Sequence, residues 1–278
     1  MYKPITASPG TTCEYPPSQF LRPYIRCYWG SDSGNSAAEG ILIRDSQQAE
    51  RETIIPDTCM DIIWELEKGK AEPRIYFCGI NDAPFEVPSH PKSHGTIRFG
   101  IRFHFWAVHY FADNHMRDVL NSNSDVDVYF GSFRNELGGL LAQMNSMEER
   151  ICAAESYLLR RLERSRYSSD SLMNAVYTLV RSKGVVSAAE LQISSGLSSR
   201  QLERLFQEYI GLSPKKISDL VRFQNVWRDI YIHYQSESNL DIQDIIFDYR
   251  FSHQSHFINS FRKYAGRTPL VALAHARL

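Results

Sequence analysis

A nine-residue pattern near the end of the chain occurs twice, with the second copy 55 residues after the first. The copies are Phe206-x-x-Tyr209-x-Gly211-x-Ser213-Pro214 and Phe261-x-x-Tyr264-x-Gly266-x-Thr268-Pro269. Each copy predicts the second half of a helix, a glycine in the left-handed position past its end, and a hydroxyl cap before the first-turn proline of the next helix. Leu202 and Phe257 stand four positions before the phenylalanines, on the same helix face.

A short helix and a tight turn are predicted before each copy, so each copy belongs to a pair of helices joined by a turn. The first pair covers 187–195 and 198–210 around Gly196-Leu197, and the second covers 241–249 and 252–265 around Arg250-Phe251. This arrangement is a helix-turn-helix unit, which lays its second helix in the major groove of DNA. The alternative is a helical bundle or solenoid pair without a DNA role, but two copies are too few for a solenoid that stands alone.

The outward positions of the two second helices carry side chains that can read bases. Arg, Gln and Asn match base edges with paired hydrogen bonds. We predict DNA contacts from Ser199, Arg200, Glu203, Arg204 and Gln207 in the first unit and from His253, Gln254, Ser255, Asn259 and Arg262 in the second. Because Arg200 and Arg204 share one face, one turn apart, the first unit should read bases more strongly than the second.

Residues 170–273 resemble the AraC/XylS family of bacterial regulators. The segments that carry the resemblance are Gly196-Leu197-Ser198 through Leu202-x-Arg204-x-Phe206, and Phe251-Ser252-His253-Gln254-Ser255-His256-Phe257 through Thr268-Pro269. The resemblance implies a DNA-binding domain with two helix-turn-helix units. The chain departs from the family pattern at Gln192 and Ile246, where alanine is usual, at Arg250, where a turn glycine is usual, and at Asn259, where arginine or another polar residue is usual.

Residues 1–130 read as short strands separated by turn residues. Ile97, Phe99, Ile101, Phe103 and Phe105 alternate with polar or small residues, which is typical of a half-buried strand. Many short strands with regular turns predict a barrel or sandwich. The segments 55–63 and 100–103 resemble a cupin-like sensing domain found in some of these regulators, which implies an effector-binding or interaction domain.

Aromatic residues of this half are candidates for an apolar effector pocket. They are Trp29, Trp64, Phe77, Phe103 and Trp106, and the alternative is that most are plain core. A rival reading is a metal-dependent cupin enzyme, which would use histidines such as His90, His94, His104 and His109. The spacing of His104 and His109 does not supply the expected H-x-H pair, so we predict no metal site.

The segment 131–166 has a helical pattern in which apolar residues recur every seven positions. These residues are Leu137, Met144, Ile151 and Leu158. The stripe predicts a homodimer seam, and the equal alternative is that it packs on the barrel. The pair Asn145-Ser146 should break the helix, with Ser146 and Glu149 forming a capping box at the start of the next one.

Composition limits the possible classes of function but does not indicate one. Residues 168–278 contain 13 Lys and Arg against 10 Asp and Glu, which permits but does not by itself indicate contact with nucleic acid. The five cysteines contain no C-x-x-C pair, and we expect them reduced in a cytoplasmic protein. We see no secretory signal and no apolar run of membrane-spanning length.

We therefore predict an α+β chain of three parts. A β-rich sensing domain covers 1–130, a helical connector covers 131–167, and an all-α domain with two helix-turn-helix units joined by a long helix covers 168–278. The expected function is sequence-specific binding of double-stranded DNA to control transcription, tuned by a small-molecule effector. The alternative is that the first domain only dimerises or meets a protein partner. RNA polymerase is a further candidate partner, and neither a cofactor nor an enzymatic activity is expected.

Overall fold

A computed structural model describes residues 2, 4, 13–31, 42–44, 51–88, 96–165, 169–235 and 242–277. Its strands are β1 (Cys13–Tyr15), β2 (Ile25–Ser31), β3 (Leu42–Arg44), β4 (Arg51–Ile54), β5 (Cys59–Glu67), β6 (Arg74–Cys78), β7 (Phe85–Pro88), β8 (Thr96–His104), β9 (Asn123–Asp125) and β10 (Ala276–Arg277). Its α-helices are α1 (Asp127–Phe133), α2 (Met147–Arg164), α3 (Asp170–Arg181), α4 (Ala188–Ser195), α5 (Ser199–Tyr209), α6 (Pro214–Gln235), α7 (Ile242–Asp248), α8 (Gln254–Ala265) and α9 (Pro269–His275).

The strands form two antiparallel sheets. The larger has the order β1-β2-β8-β5-β6-β9, and the smaller has the order β10-β3-β4-β7. The last strand of the chain, β10, pairs with β3 through Ala276 opposite Ile43. The predicted α+β fold is confirmed, with a β-rich first half and a helical second half.

The central strands of the larger sheet are covered on both faces. On β8, the alternating Phe99, Ile101 and Phe103 are fully buried, as the period-2 pattern predicts. They share a face with Trp64, whose indole Nε1–H donates to the carbonyl of Gly138 at 2.9 Å. The connector segment therefore packs on this face and seals it.

The connector is less regular than its sequence suggests. After α1 the chain forms a π-helical turn at Arg134–Gly138 and a 3-10 turn at Leu140–Gln143, and α2 then begins behind a cap at Ser146. Only half of the predicted capping box forms: Ser146 Oγ accepts the N–H of Glu149, but the Glu149 carboxylate accepts the N–H of Asn145 and not that of Ser146.

The predicted dimer seam needs correction. Leu137 and Leu158 are each 1% exposed and belong to the core of the chain, whereas Met144 and Ile151 are half-buried. The breaks between α1 and α2 interrupt the seven-residue repeat, so the four residues do not form one continuous helical stripe. Leu137 and Leu158 follow the alternative, in which the stripe packs on the sheet. Whether the chain forms a homodimer by another surface stays a prediction.

Apart from its turns and the short strand β10, the second half is helical over its described residues, and it contains the two predicted helix pairs. Helices α4 and α5 form the first pair, α7 and α8 form the second, and α6 connects them over 22 residues. Phe223 and Trp227 of α6 pack against Phe261 of α8, with ring centroids 5.4 and 5.5 Å apart. In the part of the chain that is described, no helix is both long and apolar enough to cross a membrane.

Candidate functional site

The first helix pair is fixed by its caps and by a left-handed turn. Ser187 and Ser198 each form a complete capping box, with Glu190 and Gln201 as the reciprocal partners. Gly196 ends α4 with φ +70°, a conformation that favours glycine. Leu202 and Phe206 of α5 are buried. These local signals, all readable from the sequence, set the angle at which α5 leaves the turn.

The opposite face of α5 is polar and open to solvent. All five residues predicted to contact DNA from this unit are exposed: Ser199, Arg200, Glu203, Arg204 and Gln207. Arg204 forms a loose ion pair with Glu208 one turn later, at 3.6 Å. Its side chain keeps 65% of its accessible surface, so the guanidinium is available to a partner.

The second pair repeats this geometry with a changed cap. Helix α8 begins at Gln254, two residues later than predicted, because His253 is extended and its Nδ1 accepts the N–H of His256 at 3.1 Å. His253 thus caps the helix, and only its Nε2 is left for a base or a phosphate. The predicted contact residues of this unit are all exposed: His253, Gln254, Ser255, Asn259 and Arg262.

Arg250 adopts the left-handed turn conformation that a glycine would ordinarily adopt at this position. Its φ is +50°, which places a side chain in the left-handed region at a cost of about 1 kcal/mol. The neighbouring Phe251 is held by the Arg222 guanidinium of α6, 3.7 Å from the ring centroid. The departure from the family pattern therefore leaves the turn in place.

A cavity of about 220 Å³ lies on the other face of the larger sheet. Its apolar walls come from the larger sheet and from Ile54, Ile55 and Phe85 at the ends of β4 and β7. The Trp29 ring lies across Gly100, where a Cβ would be only 2.1 Å from the indole, so this wall requires glycine. Its lining residues are Trp29, Ile54, Ile55, Pro56, Asp57, Cys59, Asp61, Ile63, Glu65, Tyr76, Cys78, Gly79, Asn81, Phe85, Arg98, Arg102 and Asn123.

The cavity contains one of the five aromatic residues predicted to line a pocket. Trp29 faces it, whereas Trp64, Phe77 and Phe103 point to the connector side of the same sheet. Trp106 lies at the sheet edge, stacked on His104. The reason is strand alternation. Residues that are directly paired on neighbouring strands share a face, and this pairing puts Trp64, Phe77 and Phe103 on the face that packs against the helical connector.

The comparisons with known proteins give two matches to domain families. Residues 194–274 match the family described as helix-turn-helix domain. This segment is an AraC-type helix-turn-helix domain. Residues 13–125 match a domain of unknown function, DUF6597, while no curated protein sequence matches the chain.

Two solved structures of ToxT from Vibrio cholerae are similar to the chain. The structure from strain O395 has 14% identity and a TM-score of 0.39, covering 81% of this chain and 95% of that one. The structure of wild-type ToxT with bound unsaturated fatty acid, from strain SCE256, has 12% identity and a TM-score of 0.37, covering 85% and 91%.

The AraC-type domain identifies a DNA-binding regulator of transcription. Its first unit is attached to the first half of the chain through the end of α5. The N–H of Met116 donates to the carbonyl of Glu208 at 2.9 Å, and the ring of His109 lies 5.1 Å from that of Tyr209. Gly211 follows with φ +84°, and a Cβ there would be 2.1 Å from the Met116 carbonyl. Helix α5 is thus anchored at its C-terminal end.

The domain also contacts the wall of the cavity. Gln224 of α6 is 2% exposed, and its side-chain amide donates to the carbonyl of Pro56, at 2.5 Å. Lys216 of the same helix pairs with Asp82 at 2.8 Å. The segment that contains Pro56 is therefore shared between the cavity and the helix that joins the two helix-turn-helix units. Sequence patterns gave no sign of these contacts.

Two ion pairs line the cavity, one on each side of the cross-strand pair Ile63–Gly100. The buried Arg102 is paired with Asp61 at 2.9 Å and lies 3.7 Å from Glu14. Arg98 is paired with Glu65 at 2.7 Å. The indole of Trp29 donates to Asp61 at 3.0 Å, which links this aromatic wall to the ion pair of Asp61 with Arg102.

The histidines do not form a metal site among the described residues. Within those residues, no group of three His, Cys, Asp or Glu side chains could hold a metal ion, and His90 and His94 lie outside them. Burial lowers the pKa of both His104 and His109 to about 4. His104 stacks on Trp106 and His109 packs against Tyr209, so these two serve separate packing contacts.

Proposed function

We propose that this protein is a sequence-specific DNA-binding transcriptional regulator whose DNA binding responds to a small molecule in the cavity of its first half. One observation carries the DNA-reading part. Both units of the AraC-type domain present an exposed, polar face on the second helix, and four of the five predicted contact positions are equivalent in the two copies. Two such helices joined by one helix suit two neighbouring turns of the major groove.

The two reading faces differ in chemistry. Arg200 and Arg204 of α5 can each donate two hydrogen bonds to guanine. Gln254 and Asn259 of α8 suit adenine, and they carry no charge. Arg262, in the last turn of α8, is placed to hold the phosphate backbone, which positions the helix without specifying sequence.

The effector part rests on the segment 54–57. Ile54, Ile55 and Asp57 line the cavity, and Pro56 between them accepts the buried hydrogen bond from Gln224. A ligand that moves this segment would strain or break that bond, and the loss of a buried hydrogen bond of this kind costs about 1–3 kcal/mol. The two states of the protein would then differ in how firmly α6 is held, which is the differential contact that a coupled site requires.

DNA recognition is tested by selecting a binding site from random DNA with the full chain. The selected site should bind far more tightly than a scrambled site at the same salt concentration, since salt alone changes such affinities by orders of magnitude. The double variant Arg200→Ala with Arg204→Ala should lose most of this preference. Equal binding of the selected and scrambled sites by the wild-type chain would contradict the proposal.

Coupling is tested with Gln224→Leu, which replaces the amide with an apolar side chain of similar size. A small molecule that raises the melting temperature of the wild-type chain should also change its DNA affinity. In Gln224→Leu the same molecule should still raise the melting temperature, but its effect on DNA affinity should largely disappear. A variant that responds as the wild type does would show that the signal takes another route. Homodimer formation and contact with RNA polymerase stay predictions beside this proposal.

A further inference from the structure

We propose that the cavity binds a small organic cation, an amine with a short apolar body, with its ammonium group at Asp57. The inference rests on the proposed effector role of this cavity and assigns the chemical class of the ligand. Neither the domain match at 13–125 nor the helix-turn-helix match bears on this class.

The first step is the charge of the walls. Among the described residues, three carboxylates and two guanidiniums line the cavity, which leaves an excess of one negative charge when all are ionised. Both guanidiniums already face carboxylates: Arg98 faces Glu65, and Arg102 faces Asp61. An anionic ligand would have to compete with these pairs inside a wall that is already negative.

The second step is the position of Asp57. Its Oδ1 accepts the backbone N–H of Cys59 at 2.9 Å, whereas its Oδ2 lies 4.0 Å from Arg102, beyond hydrogen-bond distance. Asp61, by contrast, accepts from both Trp29 and Arg102. Asp57 is thus a cavity-lining carboxylate whose charge is incompletely compensated, and an ammonium group would supply the missing partner.

The protonation of Asp57 agrees with this geometry. Burial raises its pKa to about 6, against the opposing effect of Arg102. The other groups that act on it are Asp61 on β5, Glu14 on β1 and the backbone N–H of Cys59, and Tyr2 lies close by through Thr58. A cation bound at Asp57 would favour the ionised carboxylate, so binding should strengthen as pH rises through 6.

The third step is the remaining wall. Trp29, Tyr76 and Phe85 supply aromatic surface, and Ile54, Ile55 and Ile63 supply aliphatic surface. Aromatic faces attract cations and also accept an apolar body. A cavity of about 220 Å³ holds a small molecule rather than a chain of many residues. Together these features indicate a monoamine with a compact hydrocarbon group.

The test compares three matched series on the full chain by calorimetry and thermal shift. The amines are 2-phenylethylamine, cyclohexylmethylamine and n-butylamine, each with its carboxylate and alcohol analogue. We expect at least one amine to bind at least tenfold more tightly than both analogues, and about tenfold more weakly at pH 5 than at pH 7.5. These amines stay protonated over that range, so the change would report the protein.

Asp57→Asn provides the site test, since asparagine keeps the acceptor for Cys59 and removes the charge. The variant should lose at least tenfold in amine affinity and lose the pH dependence. Asp118→Asn, an exposed change in the same half, is the matched control and should bind as the wild type does. Circular dichroism of both variants checks that they fold.

Three results would overturn the inference: no amine binds at millimolar concentration, an analogue binds as well as its amine, or Asp57→Asn binds amines unchanged. Site-specific DNA binding is measured on the same samples. If it is intact while a carboxylate or alcohol binds, the ligand class is wrong and the regulator function stands. If it is absent from the wild-type chain, the proposed function fails whichever probe binds.

Discussion

Arg204 should contribute more to base recognition than its counterpart Asn259. A guanidinium that donates two hydrogen bonds to guanine discriminates by about 1–3 kcal/mol. In the free protein Arg204 must first leave Glu208, but that pair is 3.6 Å apart and 65% of the arginine surface is exposed. An exposed pair of this kind is worth about 0–1 kcal/mol. We therefore expect Arg204→Ala to cost about 1–2 kcal/mol, or roughly 5- to 30-fold in affinity.

The assay is fluorescence anisotropy with the selected site and with sites changed at one base pair, all at one salt concentration. Arg204→Ala should lose its preference at one base position and bind the other positions as before. Asn259→Ala should change specificity less, because an uncharged amide forms weaker hydrogen bonds to a base than a guanidinium does. The ranking is wrong if Asn259→Ala loses more specificity than Arg204→Ala.

Three further predictions concern the stability of the fold, measured by urea unfolding. Arg250→Gly should stabilise the chain by about 0.5–1 kcal/mol without changing DNA affinity, because it relieves the left-handed backbone; a loss of stability would contradict this. Gly211→Ala should cost about 2–4 kcal/mol, whereas Gly196→Ala, with open space around its Cβ, should cost about 1 kcal/mol; equal costs would refute the contact with Met116. Asp57 has a folded pKa of about 6, above its unfolded value, so stability is lost as pH rises from about 4 through 6. Asp57→Asn should therefore be more stable than the wild type by about 2 kcal/mol at pH 8 and equal to it at pH 4, and a variant that is less stable at pH 8 would contradict the burial of this charge.

The helix-turn-helix units could be predicted from the sequence because their signals are local. Ser187 and Ser198 mark the starts of helices, and Gly196 marks the end of one. Each of these residues forms its capping contact with a residue three or four positions away. The repeat then placed the second unit by analogy with the first. The start of α8 was missed by two residues because a histidine cap is unusual and its geometry depends on His256.

The cavity could not be predicted in the same way. Alternation in β8 separates Phe103 from Arg102, but it does not say which face meets the connector and which meets the second sheet. Of the five aromatic residues expected to line the pocket, Trp29 does so, because it lies on the face that carries the ion pairs, and the other four do not. The contact between Gln224 and Pro56 joins residues 168 positions apart, and no local pattern carries such information.

Hydroxyl-radical footprinting of the full chain on its selected DNA tests the central claim most directly. If α5 and α8 both read DNA, each protomer should protect the sugar–phosphate backbone beside two major-groove segments about 10 base pairs apart. Arg200→Ala with Arg204→Ala should remove protection of one segment first. A single short footprint that survives deletion of the contacts on α8, by Gln254→Ala with Asn259→Ala, would contradict the account.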